Sequence, residues 1–101
     1  MLIEYERSGG FAGIRMTTSV DSDALPLEQA EEMKAALEEA DFFKLPPRIT
    51  SDTVGADRFQ YRVTIHAQEG KHTVEVSEAA VPENLWSLLN LLNTLARTKR
   101  G

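Results

Sequence analysis

The sequence predicts an α+β fold in the order β-β-α-β-β-α, a four-stranded antiparallel sheet with two helices packed on one face. Three observations lead there. Runs with a period of two, rich in β-branched and aromatic residues, occur in two pairs. A connection containing glycine separates the members of each pair. Each pair is followed by a stretch that opens at a proline and continues with helical spacing. Two hairpins then form one sheet, and the apolar stripes of the helices cover one of its faces. The 101 residues make one domain, 1–101, large enough for a single core.

The first run, LIEYER at 2–7, reads as a short strand, and GIRMTTSV at 13–20 as its partner, with Ile14, Met16, Thr18 and Val20 on one face. Ser8 to Gly13 joins them. Its three glycines suit backbone angles closed to other residues, so the hairpin has an irregular or bulged tip. Asp21, Ser22 and Asp23 supply turn and capping chemistry before a helix over 26–41. Pro26 suits its first turn, where the missing N–H costs nothing. Leu27, Ala30, Met33, Ala36 or Leu37, and Ala40 form the apolar stripe, and Glu28 lies near the positive end of the helix dipole. Phe42, Phe43 and Leu45 then anchor the end of the helix to the sheet.

Pro46 and Pro47 stop the helix. Residues 46–57, PPRITSDTVGAD, are the longest loop expected, rich in turn formers and without apolar periodicity. In RFQYRVTIH, 58–66, Phe59, Tyr61, Val63 and Ile65 face one way and Gln60, Arg62, Thr64 and His66 the other, as in an antiparallel sheet with one wet face. A turn at Gln68-Glu69-Gly70 leads to KHTVEVS, 71–77, whose His72, Val74 and Val76 share a face. Val81-Pro82-Glu83 opens the last helix. Leu85, Leu88, Leu89, Leu92 and Leu95 form its stripe, with Trp86 at the margin.

Composition narrows the function. The net charge of −5 repels phosphate backbones and argues against nucleic acid as a partner. No apolar run approaches the ~20 residues of a membrane span, so no membrane is expected. The N-terminus lacks the pattern of a signal peptide, and there is no cysteine, which together suggest a cytoplasmic location. Without cysteine there is no thiol catalysis and no Cys-based zinc site. His66 and His72 flank one hairpin but lack a third ligand at a telling spacing, so no metal is expected. Neither a Gly-x-Ser-x-Gly elbow nor a phosphate loop occurs. No enzyme, no cofactor and no catalytic residue is expected.

Binding remains. Phe11 stands at a glycine-rich tip, where an aromatic side chain either folds back onto the sheet edge or enters a partner's pocket. Gly9, Gly10, Phe11 and Ala12 are therefore candidate partner contacts. So are Arg48, Ile49 and Val54 in the long loop, which is either a passive connection or a second contact. A separate possibility is a small non-catalytic interaction module using the acidic face of the first helix. There Asp23, Glu28, Glu31, Glu32, Glu38, Glu39 and Asp41 face Lys34 alone.

Four features in order, spanning nearly the whole chain, resemble the emfourin family. They are Ser8-Gly9-Gly10-Phe11-Ala12-Gly13 after the first strand, Asp57-Arg58-Phe59-Gln60-Tyr61-x-Val63-x-Ile65, His72-x-Val74, and the Val81-Pro82 helix start. The resemblance implies a bacterial protein inhibitor of thermolysin-like zinc metalloproteases; separately, a monomer is expected when the protein is free. The resemblance also implies action without a cofactor, with the target cleft covered by loops. Such clefts favour a bulky apolar side chain beside the scissile bond, which suits Phe11.

Overall fold

The computed structural model describes residues 1–9, 15–49, 59–68 and 70–98. Five strands and two helices are placed among them: β1 (Leu2–Gly9), β2 (Met16–Asp21), α1 (Leu27–Ala40), β3 (Arg48–Ile49), β4 (Phe59–Ala67), β5 (Gly70–Ser77) and α2 (Trp86–Thr98). Gly10, Phe11, Ala12 and Val54 lie outside the described residues.

The fold is α+β, but the sheet has five strands and is mixed, in the order β2-β1-β4-β5-β3. The two expected hairpins are present and meet through an antiparallel β1–β4 pairing. The fifth strand corrects the expected loop at 46–57. Arg48 and Ile49 lie parallel to β5, opposite Glu75 and Val76. The carbonyl of Pro47 accepts from the N–H of Glu75 at 2.8 Å, docking the segment. A pairing this short leaves no period in the sequence, and only β5, far along the chain, creates it.

Three boundaries also move. β1 runs two residues past the expected end, because Ser8 and Gly9 keep pairing with Gln60 and Phe59 of β4 after β2 has ended. They therefore belong to the sheet rather than to the hairpin tip. β2 begins at Met16 rather than at residue 13. The last helix is preceded by a separate 3-10 turn, Glu83–Leu85.

The inner face of the sheet carries Ile3, Tyr5, Val20, Tyr61, Val63, Ile65, Val74 and Val76, all buried. Against it pack Met33, Ala36, Leu37 and Ala40 of α1, and Leu88, Leu89, Leu92 and Leu95 of α2. Burying each Leu, Met, Val or Ile of this set contributes about 1.5–3 kcal/mol, which holds the helices on the sheet. Leu27 departs from the expected stripe: at the first helical position it is 75% exposed. Phe42 is buried as expected, whereas Phe43 is half exposed. α1 ends at Asp41, in the left-handed region (φ +52°), and the side-chain amide of Asn84 donates to the carbonyl of Glu39 at 3.1 Å, tying this end to the approach of α2.

Candidate functional site

Strand direction decides where the connections emerge. β1 ends at Gly9 and β2 starts at Met16; β4 starts at Phe59; β5 ends at Ser77 and the parallel β3 ends at Ile49. The chain thus leaves and re-enters the sheet on one edge for both 10–15 and 50–58. With strands ~4.8 Å apart, the exits at Gly9 and Ile49 are three strand positions, roughly 14 Å, from each other. Gly9 adopts φ +92°, a region that favours glycine, where the backbone turns out of β1.

Of the candidate contacts, the structure brings Gly9, Arg48 and Ile49 to this end. Arg48 is exposed, and its guanidinium meets the Glu75 carboxylate at 3.4 Å. Ile49 is half-buried against the core, so part of its side chain supports the fold.

A row of charges crosses the outer face. Arg15 reaches Glu6 at 3.3 Å, and Arg62 reaches Glu6 at 3.4 Å and Glu75 at 3.0 Å. Arg48 closes the row on Glu75. Glu6, Arg62, Glu75 and Arg48 are direct cross-strand neighbours, so each carboxylate lies between two cations. The row starts just after the first connection and ends just before the second, linking the bases of both.

On the inner face, the same end carries an aromatic group. The Arg7 guanidinium carbon lies 4.9 Å from the centre of the Phe59 ring. Phe59 leans on Tyr61, which meets Trp86 edge-on at 6.1 Å and stacks with Tyr5 at 6.5 Å. The Phe59 N–H donates to the Glu78 carboxylate at 3.1 Å. The chain re-entering at Phe59 is therefore held through both ring and backbone. Burial pushes the Tyr5 hydroxyl far above its ordinary pKa, opposed by nearby Arg7. Burial also raises that of Tyr61, reinforced by Glu78 and opposed by Arg7. Both phenols stay protonated at neutral pH, and Tyr5 donates to Asn93 Oδ1.

The two histidines face opposite sides of the sheet. His66 Nε2 lies 2.9 Å from Glu4 on the outer face, and His72 Nε2 lies 3.0 Å from the carbonyl of Leu45, beside the rings of Phe42 and Phe43. Among the described residues, no three His, Cys, Asp or Glu side chains are grouped to hold a metal ion. No helix among them is long and apolar enough to cross a membrane. Glu28, Glu31, Glu32, Glu38 and Glu39 of α1 are exposed.

Sequence reasoning missed Arg7, Asn93 and the charge row. The alternation already placed Arg62 on the wet face. Its partners needed the strand register, which the alternating carboxylates Glu4, Glu6 and Glu75 help define only once β1 is set beside β4.

Comparison with known proteins adds the relationship. The chain is similar in structure to emfourin (M4in) from Serratia proteamaculans, described as an M4 family peptidase inhibitor. The two are 21% identical, the match covers 86% of this chain and 83% of that one, and the TM-score is 0.46. Among curated proteins no match is found. The Emfourin family model matches residues 5–93, from within β1 to within α2. By that match over most of its length, the chain belongs to the Emfourin family.

Proposed function

We propose that this protein inhibits thermolysin-like zinc metalloproteases by laying the end of its sheet that bears both connections over the target's cleft. As a family of inhibitors, emfourins are not enzymes, and neither is this chain. The observation that carries the docking reading is the shared exit of segments 10–15 and 50–58 from one sheet edge. Two segments roughly 14 Å apart at their bases can straddle a cleft that one cannot span.

In this reading Gly9, Gly10, Phe11 and Ala12 form one contact, and Arg48, Ile49 and Val54 the other. Phe11 fills an apolar pocket beside the position of the scissile bond. The sheet, the charge row and the clamp on Phe59 fix the bases of both segments, so less conformational freedom is lost on docking. The chain acts as a monomer and needs no cofactor of its own.

The test is a peptidase assay with thermolysin or protealysin, a fluorogenic peptide and increasing amounts of this protein. Stoichiometric loss of activity is expected. Phe11→Ala should weaken inhibition by ~2 kcal/mol or more, as truncation of an aromatic anchor does. If Phe11→Ala inhibits normally while charge reversal at Glu31, Glu32, Glu38 and Glu39 abolishes binding, the contact moves to the acidic face of α1.

A further inference from the structure

Beside the base of the first connection, between the sheet and α2, lies a cleft of about 330 Å³ lined by Arg7, Met16, Asn90, Asn93 and Thr94. Arg7 differs from its peers. Of the four arginines whose side chains are described, Arg15, Arg48 and Arg62 are paired with carboxylates. Arg7 has no carboxylate within ion-pair distance among the described residues. Its guanidinium is instead braced by the Phe59 ring and by Asn93 Oδ1 at 3.5 Å.

The orientation of Asn93 follows from donor counting. Arg7 can only donate, so the Asn93 atom facing it is the oxygen, which also accepts from the Tyr5 hydroxyl. Among the described residues nothing accepts from the Asn93 N–H₂ group, a further donor on the cleft. Asn90 adds a second, exposed amide, while the Thr94 hydroxyl is spent on the Asn90 carbonyl at 3.0 Å. The cleft therefore presents a preoriented cation and amide donors, and among the described residues no carboxylate lines it.

Resting on the inhibitor reading above, we infer that this cleft is a receptor for a carboxylate of the target protease, an Asp or Glu side chain gripped by the Arg7 fork. Arginine held planar and half-buried matches a carboxylate with two parallel hydrogen bonds. Met16, on the cleft wall, directly follows Arg15 at the end of the first connection, so the cleft adjoins the base of the segment assigned to docking. The pairing would add orientation to a docking otherwise led by one apolar anchor.

Asn93→Asp tests this. The new side chain keeps the oxygen that accepts from Tyr5 and Arg7, so folding is preserved, but it offers Arg7 an internal carboxylate and places negative charge in the cleft. Inhibition of thermolysin or protealysin by both proteins is measured, with thermal melting as a control. A melting temperature at or above the original, with an inhibition constant raised at least tenfold and the gap narrowing in 0.5 M NaCl, supports the receptor. Unchanged inhibition overturns it and leaves the inhibitor reading standing. If the unsubstituted protein inhibits neither enzyme, the inhibitor reading falls and the receptor with it. Should Asn93→Asp melt early, Arg7→Lys decides in its place, since it keeps the charge and the stem over Phe59 but not the fork. Weaker inhibition then supports the receptor, and unchanged inhibition overturns it.

Discussion

The two faces of the sheet are made from alternate residues of the same strands, yet different forces hold them. On β4, Tyr61, Val63 and Ile65 point inward and are almost fully buried, while Gln60 and Arg62 point outward and are exposed. The inner face gains from removing apolar surface from water, a term that needs no particular geometry. The outer face gains from opposite charges placed directly across from one another, which is geometric but weak in water. The inner face thus decides that these strands form a sheet. The outer face contributes to register, and its row of charges runs between the bases of the two connections that we assign to docking.

Substitutions on β4 alone can break this comparison. Ile65→Ala removes a side chain that is 0% exposed, and urea unfolding should show a loss of about 2–5 kcal/mol. Arg62→Met, three residues away on the opposite face, removes the centre of the charge row. The loss should be under about 1 kcal/mol and should shrink in high salt. A larger, salt-insensitive loss at Arg62 would mean the row acts as a packed network, and the contrast between the faces would fail.

A third effect is invisible at neutral pH. Burial, partly offset by Arg7, raises the pKa of Tyr5 in the folded protein above its ordinary value of 10.0. Below pH 10 both the folded and the unfolded chain keep this proton, and stability is unaffected. As pH rises through about 10 the unfolded chain loses the proton while the folded chain retains it, so stability falls. Unfolding in urea at pH 9 and pH 11 should show this decline, and Tyr5→Phe should reduce it. An equal decline in the variant would place the sensitivity elsewhere, with Tyr61 next in line.

Legibility in the sequence followed the same division. β1, β2, β4, β5 and both helices were readable because burial writes a period into the chain. Val63 and Ile65, or Leu88, Leu92 and Leu95, announce their element without knowledge of any neighbour. β3 was not readable, because Arg48 and Ile49 are a strand only by virtue of Glu75 and Val76. Leu27 misled because the helical stripe continues to the first turn, whereas the core does not reach that far. For the site, the glycine-rich connection and the long one were visible as candidates. Their emergence from one edge required strand order and direction. Arg7 was invisible as a candidate because its lack of an ion pair among the described residues is a property of its surroundings, not of its place in β1.

The interior position of β1, between β2 and β4, has a kinetic consequence. Its second partner is β4, with Glu4 and His66 in contact although 62 residues apart in the chain. The β1–β2 hairpin forms locally, but two strands alone are marginally stable in water. Closing the long loop costs entropy before the β1–β4 pairing repays it. During synthesis the hairpin must wait with β1's edge open until 59–67 leaves the ribosome. The β1–β4 pairing is the step that carries this loop-closure cost, and until it forms the unpaired edge of β1 is open to misassociation.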